Sequence, residues 1–242
     1  MKLLEIAVFS IESALTAAKA GADRLELCEN YDNGGTTPSY GYLKTVRAKL
    51  DLPLFVMICP RAGDFVYTDA EFTAMKADVL LCKEMGFDGI VIGILKNDGS
   101  IDTVRTKYLI ELAYPMEVTF HRAFDRCKAP LKAMEQIIEC GCQRILTSGQ
   151  QPSALQGKNL IQQLIVAADH RITIVPGGGI RSNYVEDLLL FTGADEVHSS
   201  AKKTAPSPMQ FWVEAMHDKN ERIMADATEI SAMLQIIRSI ET

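Results

Sequence analysis

The sequence predicts an α/β protein of the single-domain (β/α)8 TIM-barrel class, and three observations carry that reading. Short apolar runs alternate with helical patterns eight times, the signature of a parallel sheet covered by helices. Four helix ends repeat one phrase: Ala20-Gly21-Ala22-Asp23, Met85-Gly86-Phe87-Asp88, Cys140-Gly141-Cys142-Gln143 and Thr192-Gly193-Ala194-Asp195. Each reads as a C-cap glycine and a turn into the next strand. The length of 242 residues lies near the roughly 250 typical of such a barrel. No linker or low-complexity stretch interrupts the chain, so residues 1–242 read as one domain. An open doubly wound sheet is the rival architecture. Eight regular units with short αβ turns favour closure, because a closed barrel leaves no exposed strand edge.

The strands are expected at Leu3–Val8, Arg24–Cys28, Pro53–Ile58, Gly89–Ile92, Glu117–His121, Gln143–Ser148, Ile172–Pro176 and Glu196–Ser199. Helices are expected at Ile11–Ala20, Tyr40–Leu50, Asp69–Met85, Thr103–Ala113, Pro130–Cys140, Lys158–Ala168, Tyr184–Thr192 and Thr228–Ile240. Pro206–Asp226 shows no clear period and reads as an irregular excursion carrying Phe211 and the only tryptophan, Trp212. An apolar pair in such a segment suggests a patch that a second subunit covers, and symmetric homodimers are the commonest assembly.

A hydrophobic share of 48% and a charged share of 23% suit a globular core. The net charge of −6, with no lysine or arginine run, argues against a nucleic-acid partner. No apolar run approaches the ~20 residues of a membrane span. Glu5 interrupts the N-terminus too early for a signal peptide. A cytoplasmic protein is the expectation. The six cysteines include no C-x-x-C pair and are expected as reduced thiols. Cys82 and Cys140 fall in helical patterns, and Cys140-Gly141-Cys142 reads as a helix end more readily than as a metal pair.

Side-chain alternation sorts the strands into faces. Leu4, Ile6 and Val8 belong outside against the helices, which turns Glu5 and Ala7 inward. In the same way Glu26, Cys28, Thr119, His121, Glu196 and His198 point into the barrel. Strands 8, 1 and 2 are neighbours ~4.8 Å apart, so His198, Glu5 and Glu26 should meet. Two inward carboxylates so close repel, and one should keep its proton to a raised pH, which prepares an acid or base. Glu5, Glu26, His121 and His198 are therefore the candidate catalytic residues. The alternative is a buried polar network, neutralised by Arg24, Arg61 or Arg122.

The βα loops are long and glycine-rich, whereas the αβ turns are short, which places a site on the loop-rich face. Arg61 and Arg122 are candidate anchors for an anionic ligand, since guanidinium grips carboxylate or phosphate bidentately. They also read as braces for Asp64 and Asp125. Asp125 and Ser148, with Gly177, Gly178 and Gly179 after strand 7 and Ser200 after strand 8, complete the candidate anion site. No strand-end lysine offers a Schiff base, and no nucleophile elbow offers a serine triad.

These phrases resemble the CutC family. The match runs through Ala22-Asp23-Arg24-Leu25-Glu26-Leu27-Cys28, Gly34-Gly35-Thr36-Thr37-Pro38-Ser39 and Pro60-Arg61-Ala62-Gly63-Asp64-Phe65. It continues in Val118-Thr119-Phe120-His121-Arg122-Ala123-Phe124-Asp125, Ile145-Leu146-Thr147-Ser148-Gly149, Pro176-Gly177-Gly178-Gly179-Ile180 and Glu196-Val197-His198-Ser199-Ser200-Ala201. The resemblance implies a TIM barrel, a cytoplasmic location and a part in copper homeostasis. It also implies a copper(I) pair, one cysteine two residues after the strand-1 glutamate and one after strand 2. Here Ala7 replaces the first, and Cys59 stands where relatives commonly carry arginine. Cys28 and Cys59 are the remaining soft candidates for copper(I). Two readings stay open: a copper homeostasis protein that binds copper(I), and an enzyme using acid–base chemistry on a small anionic or phosphorylated metabolite.

Overall fold

The computed structural model describes residues 2–217 and 220–240. Met1, Asp218, Lys219, Glu241 and Thr242, which the single-domain reading also included, lie outside the described residues. The elements alternate as anticipated: β1 (Leu3–Val8), α1 (Ile11–Lys19), β2 (Arg24–Leu27), α2 (Tyr40–Arg47), β3 (Leu54–Met57), α3 (Asp69–Glu84), β4 (Gly89–Ile92) and α4 (Thr103–Ala113). Then come β5 (Glu117–Phe120), α5 (Pro130–Cys140), β6 (Arg144–Thr147), α6 (Lys158–Ala168), β7 (Thr173–Pro176), α7 (Val185–Thr192) and β8 (Glu196–Ser199). Local signals explain several starts. Ser10, Ser39 and Asp102 accept from the first-turn amides of α1, α2 and α4, and Thr68 with Glu71 forms a capping box on α3.

The eight strands are parallel, in the order β7-β6-β5-β4-β3-β2-β1-β8. The ring closes between β7 and β8 through a parallel bridge of Gly177 with His198. The register places Glu5 beside both Arg24 and His198, and Ala7 beside Glu26. Outward residues such as Leu4, Ile6, Leu25, Leu27, Ile90 and Phe120 are wholly buried under the helices. A separate inner core of Cys28, Phe55, Met57, Cys59 and Val91 fills one side of the barrel.

The other side of the interior is polar. At the barrel floor the guanidinium carbons of Arg24 and Arg144 stand 4.9 and 5.2 Å from the Phe55 ring centre. Glu196 joins the two arginines, 2.5 Å from Arg24 and 3.0 Å from Arg144. A Cβ at Gly89 would sit 2.6 Å from the Phe55 ring, so β4 must start with glycine for the stack to fit.

Two expectations change. The segment after β8 is not irregular throughout, because β9 (Lys202–Pro206) pairs antiparallel with β10 (Glu221–Ala225) as a ribbon leading into α8 (Ala227–Ser239). Its alternation is hard to read because five of the ten strand residues are polar and only Ala225 is buried. Near the ribbon tip Phe211 is 76% and Trp212 49% exposed. Second, Cys28, Ile58, His121 and Ser148 fall just beyond their strands, where the chain leaves the ladder for the loops. The Cys140-Gly141-Cys142 reading is as expected: Gly141 ends α5 at φ +97 and both thiols are buried.

Candidate active site

A cavity of about 290 Å³ opens at the C-terminal mouth of the barrel. Glu26, His121, His198, Arg61, Arg122 and Arg126 line it, with Gly178, Gly179 and Ser200 at its rim. Alternation alone thus brought the two histidines and Glu26 to one place. Glu5 is not on the wall. It lies one layer deeper, because it is register-paired with His198 and hydrogen-bonded beneath it.

The glutamates differ in state because they differ in partners. Burial by itself would raise the Glu5 carboxyl, but Arg24 and His198 outweigh it and hold it at about 2. Glu5 accepts from Arg24 Nε, and its Oε1 lies 2.7 Å from His198 Nδ1. An ionised Glu5 makes that Nδ1 the donor, so Nε2 of His198 faces the cavity, 3.8 Å from Glu26 Oε2. Burial disfavours the imidazolium of His198, yet Glu26 and Glu5 together raise its pKa. Glu26 has no arginine bonded to it, and burial raises its pKa against the opposing pull of His198. One carboxylate is charged and one is poised to hold a proton, which is the split expected of paired inward acids.

Glu26 Oε2 accepts from the Cys28 thiol at 3.3 Å, whereas Oε1 is buried with no hydrogen-bond partner. A second such atom is Nε2 of His121. The His121 ring caps the 3-10 turn 122–126, where Nδ1 accepts from the Ala123 amide at 3.0 Å. Phe65 lies against the ring with centroids 4.8 Å apart, and burial lowers the His121 pKa to about 4. On its other side a Cβ at Gly93 would come within 2.3 Å of the ring. Glycine just after β4 is what leaves the imidazole its place.

The anion candidates separate. Arg61 lines the cavity, but its guanidinium is spent on Asp64, Glu71 and the carbonyls of Ala62, Asp64 and Val66. It braces its loop against the start of α3, the alternative the sequence also left open: Asp64 on the loop, Glu71 in the first turn of α3 and three carbonyls satisfy its donors. Asp125 is likewise a brace, accepting from Thr147, Ser148 and the Gln150 amide. Ser148 sits among Asp125, Arg122 and the Gln151 carbonyl rather than on the cavity wall. The Gly177 amide donates to the Thr147 carbonyl, so it is not aimed at a ligand. Arg122 binds Asp125 through Nε and Ser148 through Nη2, and its side chain is 43% exposed beside Gly178.

Cys28 and Cys59 do meet in the inner core, with Met57, so the set is soft in type. Burial raises both thiol pKa values, and each thiol already has an acceptor, Glu26 Oε2 for Cys28 and the Arg61 carbonyl for Cys59. Glu5, Glu26 and His198 also offer ligand atoms within 4.8 Å of one another, although Glu5 is committed to Arg24. Reading the sequence alone missed Arg126 and Gly93, and it offered Arg24 only as one of three arginines that could neutralise a buried network. Arg24 was legible, since it shares the inward face with Glu26 two residues on. Gly93 carried no local signal, because the ring it admits belongs to the next strand.

The model of the CutC family matches residues 2–203. The chain belongs to the CutC family. A CutC family protein of Parabacteroides distasonis is 44% identical over 241 residues, covering 98% of this chain and 96% of that one. The human copper homeostasis protein cutC homolog is 47% identical over 209 residues, covering 86% and 77%. The crystal structure of a CutC protein from Streptococcus agalactiae superposes with a TM-score of 0.79 at 33% identity, over 83% of this chain and 99% of that one. A thiamine phosphate pyrophosphorylase of Pyrococcus furiosus, at 16% identity and a TM-score of 0.63 over 100% and 97%, shares the fold alone. No helix among the described residues of this CutC-family chain is long and apolar enough to cross a membrane.

Proposed function

We propose that this CutC-family chain serves copper homeostasis in the cytoplasm through a ligand pocket that performs general acid–base chemistry on a small anionic metabolite. The buried Glu5–His198–Glu26 cluster, opening into a cavity flanked by the exposed Arg122 and Arg126, carries the reading. Arg24 holds Glu5 charged, Glu5 orients His198, and His198 and Glu26 present a proton donor and acceptor to the ligand. Such a series has no use in a carrier, which needs only soft ligands within reach of solvent. The test is a thermal-shift screen of carboxylated and phosphorylated metabolites on the wild type and Arg122→Gln. A ligand whose stabilisation of the wild type is largely lost in Arg122→Gln supports the reading, and a screen without stabilisation in the wild type overturns it.

A second reading rests on the relatives' name and on one observation, the joint burial of Cys28, Met57 and Cys59. Copper(I) held there would displace both thiol protons, so affinity should rise with pH. We also propose that the exposed Phe211 and Trp212 are covered by a second copy in a homodimer.

A further inference from the structure

Two polar side-chain atoms on residues that line the barrel mouth, His121 Nε2 and Glu26 Oε1, are buried without a hydrogen-bond partner. A main-chain amide can only donate, so Nδ1 of His121, which accepts from the Ala123 amide, carries no proton. The proton of the neutral ring is therefore on Nε2, which is buried without a partner in a residue only 3% exposed. Gly93 and Phe65 hold the ring from two sides, so it cannot turn to relieve that loss. Glu26 Oε1 is the converse, an acceptor without a donor in a residue also 3% exposed, lining the same cavity. Leaving such atoms unmatched is costly, and they are retained where a ligand supplies the partners. The exposed Arg122 and Arg126 suit the anionic group of a ligand. A deep neutral donor suits a neutral oxygen, and an ionised carboxylate lining the same cavity suits a hydrogen next to it.

We infer that the substrate carries a carbonyl group beside a C–H bond, and that the pocket enolises it, with His121 polarising the carbonyl oxygen and Glu26 taking the neighbouring proton. The inference rests on the acid–base pocket proposed above and names its substrate class. In the step, the C–H bond breaks and its proton passes to Glu26. The electron pair forms the carbon–carbon double bond, and the carbonyl π pair moves to the oxygen that accepts from His121 Nε2–H. Return of the proton to the same carbon, after exchange with water, gives solvent exchange. Return to the former carbonyl carbon of a hydroxy-carbonyl compound gives an isomer, with the neighbouring hydroxyl proton transferred to the enolate oxygen so that the new carbonyl forms on the carbon that bore that hydroxyl. No oxidant or reductant is required. A fixed neutral imidazole donating to a carbonyl is an established way to stabilise an enolate-like transition state.

The probes are dihydroxyacetone phosphate and glycerol 3-phosphate, which share the anion and differ in the carbonyl. In heavy water the wild type should exchange the C–H hydrogens beside the carbonyl of the first. Glu26→Gln should slow exchange about 100-fold or more, the scale of a lost general base. Gly93→Ala, which pushes the His121 ring without lining the cavity, should slow it as well while phosphate binding persists. Nitrogen-15 NMR of the unmodified protein should show His121 as the neutral Nε2–H form, with that proton moving downfield on adding dihydroxyacetone phosphate. Equal binding of both probes without exchange would leave the anion pocket standing and overturn the enolisation. A His121 protonated on Nδ1 would overturn it whatever the probe. Binding of neither probe would overturn both readings.

Discussion

Replacing Glu5 with glutamine removes one charge from a buried chain of ion pairs, and the expected effect can be worked from its surroundings. Glu5 is 2% exposed and contacts Arg24, itself 2% exposed, and His198. Removing one member of a buried pair typically costs ~3–5 kcal/mol, and here Arg24 keeps Glu196 while His198 loses its carboxylate, which places the loss at the low end of that range. The pKa gives an independent scale: the fall from 4.5 to about 2 corresponds to roughly 3 kcal/mol at ~1.4 kcal/mol per pH unit. Because the folded value is depressed, this stability is present above the unfolded pKa and is lost as pH falls through the folded one. His198 has a raised pKa and runs the other way, contributing below ~6.5 and losing its contribution as pH rises through its folded value. Below about pH 5.5 His198 is protonated in both states, so a comparison of pH 5.5 with pH 3.5 isolates Glu5. Urea unfolding of wild type and Glu5→Gln should give a gap of roughly 3 kcal/mol at pH 5.5, narrowing by roughly 1 kcal/mol at pH 3.5. A gap that does not change with pH, or one below about 1 kcal/mol at pH 5.5, would refute the assignment of Glu5 as the charged member.

Gly89→Ala should destabilise the barrel by ~1–3 kcal/mol in the same assay, because the new methyl meets the Phe55 ring between two guanidiniums. Arg61→Gln should loosen its loop and lower the unfolding free energy by ~1 kcal/mol, with ligand affinity unchanged, whereas Arg122→Gln should weaken an anionic ligand by ~10-fold or more in calorimetry. Anaerobic copper(I) titration of the wild type, Cys28→Ser and Cys59→Ser should show weaker binding in both variants if the soft set holds the ion, and equal affinity in all three would exclude it. Light scattering at micromolar concentration should return twice the 26.7 kDa chain mass, and Trp212→Ser should lower it towards one chain.

Period and punctuation were enough for the barrel. The alternation of Leu4, Ile6 and Val8 against Glu5 and Ala7 fixed the facing of β1, since one face of a strand in a barrel meets helices and the other the interior. Through the order of the strands it also joined His198, Glu5 and Glu26. What the chain could not disclose locally was which donors were already satisfied. Arg61 and Arg122 look alike in sequence. Only the fold shows that Glu71, across the turn into α3, completes the bracing of Arg61, whereas Arg122 stays exposed beside Gly178. Glu5 and Glu26 likewise share residue type and facing, and only Arg24 beside the first gives it charge. The place of His121 depends on the absence of a Cβ at Gly93, just beyond the neighbouring strand. Hydropathy period is a property of the local chain, whereas charge state, tautomer and free donors are set by neighbours brought together from distant segments, so they belong to the tertiary structure.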